Sequence, residues 1–467
     1  MSAGKPPDPI LTAARLAAAL PERMRGLPVT QAADAQEIRA LLAARFPLDR
    51  ARDAAQIVTE TADLLERWNV HVTHPRCFGF FNPSVTDASV AGDLLAAAYN
   101  PQEAVWSHAP AANEIERHVL RVLAAGVGFP AAEGGAHFTS GGAEANHTAV
   151  LAALADRFPR FTEEGAAGCG GAPRLYVSAG AHDSFRKIAV ACGLGRAAVR
   201  VVPTDSAMHM DLAALARLVA EDRAAGHSPF CVVATAGTTA YGGIDPLPGA
   251  ADFCTRAGLW LHVDGAWGGA WALSPRFRPL FTGLERADSL TLDAHKALQV
   301  PMGAGMFFAR RAEPVLEAFR VATGYMPRSA VGLLDPHAST MQWSRRAIGL
   351  KVFVSLAAAG LPGTVAMLDR MAEIGESLRA RLRAAGWTLL NDTPLPLVCF
   401  TRAEIGTEEA AVRAAASAVV ARGRAWIAPV RLPDGRWTLR VCLTSFRTVE
   451  EDLDILLAEL AAVTVGA

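Results

Sequence analysis

The stretch LWLHVDGA, residues 259–266, is an apolar run of strand length that ends on an acidic residue, Asp264. Similar runs flank it: RLYVSAG at 174–180, FCVVATAG at 230–237 and MGAGMFFAR at 302–310, separated by segments that include helix-length stretches. Continuous apolar strands alternating with helices predict crossover units and a mainly parallel sheet covered on both faces, so the fold class expected is α/β. In an open sheet of that kind, ligands bind beyond the carboxyl ends of the strands. Several reactive residues fall at such ends. Asp264 closes LWLHVD, His182 follows RLYVSAGA, Thr235 and Thr238 close CVVATAGT, and Lys296 follows ADSLTLDAH.

Working outward, residues 10 to 70 repeat apolar positions at three and four, as in DAAQIVTETADLLERWNV, which predicts a helical arm. HPRCFGFFNPS, 74–84, is rich in Gly, Pro and aromatics and reads as an irregular loop. Beyond about residue 350, alanine-rich helices surround PLVCFTR and WTLRVCLTS, strands of a smaller α+β unit. The expected division is a helical arm with a substrate loop over 1–86, a large α/β domain over 87–350, and a small α+β domain over 351–467.

The chain has 45 basic and 46 acidic residues and a formal net charge of -1, with no long block of one sign. That balance points away from nucleic acid and toward a small-molecule substrate. Seven cysteines are an odd number, none at the two-residue spacing that metal sites favour; reduced thiols and no metal are expected. Pro7, Pro9 and Arg15 interrupt any signal-peptide core, and no run of about 18 apolar residues was discerned, so a cytoplasmic protein without a membrane span is expected.

The segment HFTSGGAEANHTAVLAAL, 137–154, sets a Ser-Gly-Gly turn directly before a helix. Unpaired amides at a helix start attract anions, and glycines let the backbone come close, so a phosphate fits at Gly141, Gly142 and Ala143. The turn lacks the Gly-Lys-Ser/Thr of a nucleotide loop. Singly, the Gly-Gly turn is plain punctuation, Asp264 a turn cap and Lys296 a surface lysine. Together they are the three anchors that pyridoxal phosphate requires: phosphate cradle, carboxylate for the pyridine nitrogen, and amine for a Schiff base.

In chain order, TSGGAEAN, AHDSF, ATAGTT, HVDGAWGG and DAHK resemble the group II pyridoxal-phosphate amino-acid decarboxylases, the family of the aromatic and glutamate decarboxylases. HPRCFGFFNP and MQWSRRAIGLKVF extend the resemblance over roughly residues 65 to 450. It implies the aspartate-aminotransferase-like fold, a homodimer whose pocket is closed by the partner subunit, and pyridoxal 5'-phosphate as cofactor. By the same resemblance Lys296 is the Schiff-base lysine, Asp264 the pyridinium partner, His182 the ring-stacking imidazole and Ala266 the packing on the opposite face. Asp293 and His295 fall at phosphate-contacting positions, and Thr235 and Thr238 near the ring. Partial burial is expected to lower the pKa of Lys296.

Phe80, Phe81 and Trp106 match aromatic positions of the family's substrate pocket, and the amide that glutamate-specific members carry near Phe80 is missing. This favours an aromatic or other bulky neutral L-amino acid. Arg76 is either a cation for an acidic substrate or a brace for its own loop. In the family a loop tyrosine protonates Cα after CO2 leaves; here Asp335 is followed by Pro336 and His337, while Tyr325 precedes the loop. His337 is the candidate proton donor, a histidine being able to donate near neutral pH. Three activities fit: a decarboxylase; an oxidative deaminase or aminotransferase; or a non-catalytic cofactor-binding protein.

Overall fold

A computed structural model describes residues 8–81, 84–321 and 334–464. Seven strands form one sheet: β1 (Ala136–Thr139), β2 (Pro173–Ser178), β3 (Val199–Val202), β4 (Ser228–Thr235), β5 (Trp260–Asp264), β6 (Ser289–Asp293) and β7 (Gly305–Ala309), in spatial order β1-β7-β6-β5-β4-β2-β3. The five strands from β3 to β6 run parallel, and β7 is antiparallel to both β6 and β1. The MGAGMFFAR run is thus a strand, but a reversed one. Only the turn after Asp293 joins β6 to β7, with no helix to carry a crossover, so the chain folds straight back. Lys296 sits in that turn.

Both faces of the sheet are covered, which is why its strands read as continuous apolar runs. Cys231 and Val233 of β4 face the helix Gly142–Arg157, in a core with Ala149, Leu154 and Phe307. Val232 and Ala234 face the other way, among Leu247, Ala250 and Leu261. Successive side chains alternate faces along a strand. Each fully buried Val, Leu or Phe contributes roughly 1.5–3 kcal/mol.

A second, antiparallel sheet comprises β8 (Thr388–Leu389), β9 (Leu397–Thr401), β10 (Ala428–Arg431) and β11 (Trp437–Cys442), in order β10-β11-β9-β8. Helices Glu409–Ala421 and Glu450–Thr464 pack with it through Val412, Val419, Leu453 and Leu456. The helix Gly349–Ala384 begins at the expected boundary between the second and third units. By length and mean hydropathy it would suit a membrane span, a feature the sequence reading passed over. Yet it is two segments meeting at Gly360, where φ is 66°, and Leu368, Met371 and Leu378 are buried in the protein's cores.

At the N-terminus, helices Pro9–Met24, Ala35–Arg45 and Ala54–Trp68 bury only Met24 and Ala55 between them, leaving Ile10, Leu11 and Leu65 more than half exposed. The loop after them is tied to the second sheet: Phe78 N–H donates to Trp426 O at 2.8 Å and Trp426 N–H to Arg76 O at 3.1 Å. A Cβ on Gly79 would lie 1.7 Å from the Trp426 ring, so only glycine passes here. This anchoring sets Phe80 against Trp426 and Phe81 against Trp267, just past the end of β5.

Candidate active site

The Ser-Gly-Gly turn connects β1 to the helix Gly142–Arg157 and lies over the end of β6. A Cβ on Gly142 would come within 2.9 Å of Asp293 Oδ2 and 3.1 Å of Ala266 Cβ, and one on Gly305 would strike Gly141. Ser140 N–H donates to Glu144 Oε2 at 2.7 Å, and Gln342 donates to the same carboxylate at 2.8 Å. The amides of Gly142 and Ala143 precede the first bond of the helix, which Glu144 N–H makes to Gly141 O at 3.0 Å, and this edge is suited to an anion.

Beneath the turn, Asp293 carries the contacts. Its N–H donates to Ala266 O at 3.0 Å, and its carboxylate lies 2.9 Å from Lys296 Nζ and 3.7 Å from His295 Nε2. His295 Nδ1 accepts from Ala304 N–H at 3.1 Å, which leaves the ring proton on Nε2, facing Asp293; burial lowers the pKa of this histidine and keeps it neutral. For Lys296 the sequence expectation is reversed. Burial does oppose its charge, but the Asp293 carboxylate, helped by Asp264, outweighs it and the pKa is raised. The lysine is held as ammonium next to a counter-charge that sequence alone did not assign to it.

An amine must lose its proton before it attacks a carbonyl, so capture of a carbonyl ligand should speed up as pH rises. Asp293→Asn removes the counter-charge and leaves the burial, so the pKa should fall. The variant should then capture pyridoxal phosphate faster than wild type at pH 7, as read by stopped-flow absorbance, and the two rates should converge at high pH.

Asp264 ends β5 and is buried. Its Oδ1 accepts from Ala266 N–H at 3.1 Å and its Oδ2 from Asn146 Nδ2 at 2.8 Å. Thr235 and Thr238 are both buried; the Thr235 hydroxyl has no hydrogen-bond partner among the described residues, while the Thr238 hydroxyl accepts from Gly243 N–H. His182 is exposed and its Nδ1 accepts from Ser184 N–H at 3.1 Å. It lines a cleft of 690 Å³ with Thr239, Tyr241, Trp437 and Arg440.

Arg440, which sequence reading missed, donates to Thr239 O at 2.6 Å and Gly79 O at 2.5 Å, and its guanidinium lies 4.8 Å from the centre of the Phe81 ring. Phe81 also meets Trp267 edge-on at 5.3 Å, and Phe80 stacks on Trp426 at 4.3 Å. Arg76 bonds Arg424 O and Asp452, which is the loop-bracing alternative. Gln299, also missed, joins three segments: its O accepts from Thr86 N–H at 2.9 Å, its amide donates to Thr444 O, and it follows Lys296 by three residues. Its backbone is left-handed, φ 58°, which made it hard to foresee.

Two sequence candidates gather elsewhere. Trp106 N–H donates to Asp335 Oδ1 at 2.9 Å, while His337 Nδ1 lies 3.0 Å from Ala104 O and its ring 5.1 Å from Trp343. No described hydrogen bond, ion pair or ring contact joins this patch to Lys296 or Asp264. Tyr325 lies outside the described residues. Under the patch Glu103 is fully buried beside Glu116, which Arg345 pairs at 2.6 Å. Burial, then the Glu116 charge, pushes Glu103 up to about 9, so it is protonated at neutral pH. A raised carboxyl pKa means stability is full below the ordinary range near 4.5 and is lost as pH rises toward 9. Glu103→Gln mimics the protonated form and should raise the melting midpoint at pH 8, with no gain at pH 4.

A helix edge open to a phosphate, a fixed carboxylate and a lysine within reach define the site of a pyridoxal-phosphate enzyme. The residues present fit that cofactor: Asp293 Oδ1 and the Thr235 hydroxyl are buried without partners among the described residues, and the glycine edge admits no side chain. Residues 36–403 match the pyridoxal-dependent decarboxylase conserved domain, and the chain belongs to that family. It is 28% identical over 440 residues to an aromatic-L-amino-acid decarboxylase of Bacillus atrophaeus, covering 92% of this chain and 89% of the relative. It is 31% identical over 348 residues to a cysteine sulfinic acid decarboxylase of Homo sapiens, covering 73% and 70%. The fold matches a structure of Oryza sativa TDC with PLP and tryptamine at a TM-score of 0.90 and 24% identity, over 98% and 97% of the two chains. The protein is a pyridoxal-phosphate-dependent carboxy-lyase acting on an amino acid.

Proposed function

We propose that the substrate is an L-amino acid with an aromatic or other bulky neutral side chain, and that the enzyme works as a homodimer in the cytoplasm. The observation that carries the substrate class is the aromatic wall of Phe80, Phe81, Trp267 and Trp426, backed by an Arg440 whose two terminal nitrogens are already bonded to carbonyls. Burying an unpaired side-chain carboxylate against those rings costs several kcal/mol. The exposed apolar residues of the N-terminal helices support the dimer.

Bound here, pyridoxal phosphate supplies an electron sink for the pair left at Cα when CO2 departs. On this reading Lys296 would provide the amine that bonds the cofactor, and the Asp264 carboxylate would face its pyridine nitrogen. The amides at Gly141, Gly142 and Ala143 hold the phosphate, with His295 and Asp293 beside them. His182 and Ala266 confine the ring, with Thr235 and Thr238 at its edge. The test is CO2 release from the twenty amino acids and DOPA: an aromatic or bulky neutral substrate should give the highest kcat/KM, and a preference for an acidic or cationic one would overturn the proposal. Sedimentation of an active monomer at micromolar concentration would defeat the dimer.

The Pro336-His337 departure favours one second reading, oxidative deamination to an aldehyde. If His337 delivers the proton to Cα, working in the site of a second copy, then His337→Phe should slow amine formation about a hundredfold to ten-thousandfold. The fraction of turnovers ending in aldehyde and peroxide should rise, and His337→Tyr should lower it. Unchanged rates and product ratios in both variants would leave His337 a loop residue.

A further inference from the structure

Asp264 stands at the end of a buried chain of hydrogen bonds that begins at Trp260, the first residue of the same strand. Trp260 Nε1 is 2.9 Å from Ser289 Oγ, which is 2.9 Å from His262 Nδ1. His262 Nε2 is 3.0 Å from Asn146 Oδ1, and Asn146 Nδ2 is 2.8 Å from Asp264 Oδ2. All five residues are at most 5% exposed. The chain has a direction, because an indole N–H only donates and a carboxylate only accepts. The carboxylate fixes the other end: Asn146 turns its Nδ2 to Asp264 and its Oδ1 to His262 Nε2, which must carry the ring proton, and the neutral ring's Nδ1 then accepts from Ser289, whose Oγ also receives the Trp260 indole N–H. Thr291 Oγ1, 3.4 Å from His262 Nε2, is compatible with the same tautomer.

Register supplies the geometry. His262 pairs across β5 and β6 with Ser289, and lies two residues before Asp264 on the same face of the strand. Asn146 lies one turn into the helix that opens at Gly142. Burial lowers the His262 pKa to about 4, despite the opposing pull of Asp264, so the ring is neutral at working pH. An amide stands between ring and carboxylate. It passes no proton, so Asp264 cannot be neutralised by the histidine.

We propose that His262 is a positioning residue that acts through Asn146: its Nε2–H holds the Asn146 carbonyl, and thereby keeps the Asn146 amino group on Asp264 and the carboxylate aimed at the cofactor's pyridine nitrogen. Without the Nε2–H donor the Asn146 carbonyl loses its buried partner, and the amide is held from the Asp264 side alone. The proposal rests on the Asp264 role given above.

The test is equilibrium dialysis of holoenzyme against graded pyridoxal phosphate, with retained cofactor measured by absorbance after alkaline release. His262→Phe should weaken cofactor retention about tenfold to a hundredfold, the value of a hydrogen bond to a charged group. His262→Gln, whose amide nitrogen reaches to the Nε2 position, should stay within about threefold of wild type. Asn146→Ala should match His262→Phe, and the double variant should be no worse than Asn146→Ala alone, since residues acting through one another are not additive. If His262→Phe does not fold, His262→Gln against the shorter His262→Asn reads the same contrast. Equal retention by those two, unchanged retention in His262→Phe, or additive losses in the double variant each overturn the inference. If Asp264→Asn leaves retention unchanged, the Asp264 assignment itself fails; an Asp264 effect without a His262 effect sinks only the positioning role.

Discussion

Lys296→Ala should abolish decarboxylation and leave a protein that no longer holds its cofactor covalently. The residue sits in the turn between β6 and β7, its Nζ 2.9 Å from Asp293 and within electrostatic reach of Asp264. Alanine removes the amine proposed to bond the cofactor, and Lys351, which also reaches His295 electrostatically, is bonded to Met302 O at 2.7 Å. Wild-type protein reduced with borohydride should carry one cofactor per chain on the peptide containing Lys296, read by mass spectrometry, and the variant none. Loss of the yellow colour should accompany loss of CO2 release. A reducible adduct at the same site in Lys296→Ala would show that another amine does this work, and the assignment would fall.

The second large effect belongs to Asp264→Asn, which should cut turnover by several orders of magnitude while cofactor binding partly survives. The amide can still hydrogen-bond, and Ala266 N–H and Asn146 still surround it. It cannot balance the charge of a protonated pyridine nitrogen, and a charge-assisted bond is roughly twice as strong as a neutral one. The electron sink is therefore weakened when electrons arrive at it, so kcat should fall far more than KM rises. Near-normal kcat in Asp264→Asn would place the electron-sink role elsewhere. The contrast with Asp293→Asn is informative, since that variant alters how the lysine's charge is held without touching the proposed pyridine partner.

Much of this was legible along the chain. The LWLHVDGA run declared a strand buried on both faces because a parallel sheet roofed by helices needs apolar side chains at every position, and β5 is buried throughout. The placement of the glycine turn, Asp264 and Lys296 was legible as well, because each stands at the end of a local element. The direction of β7 was not, since an apolar run looks the same either way and only the short connection from β6 reverses it. Nor could spacing reveal Arg440 beside Phe81 or Asn146 beside Asp264, contacts that join distant parts of the chain. His262 was hidden inside a motif as one more residue of a strand; the β5–β6 register sets it opposite Ser289 and makes it part of a chain.

The charge on Lys296 separates the two levels most clearly. From sequence, burial alone set the expected sign, because desolvation disfavours any charged amine. What the sequence by itself determined was the inventory: sheet strands, a glycine turn before a helix, carboxylate and amine, all read from local periodicity and residue type. Only the tertiary structure decided which of these touch, and with that the sign of the lysine's shift, because a carboxylate at 2.9 Å outweighs burial and that distance is set by packing among β5, β6 and the helix at Gly142.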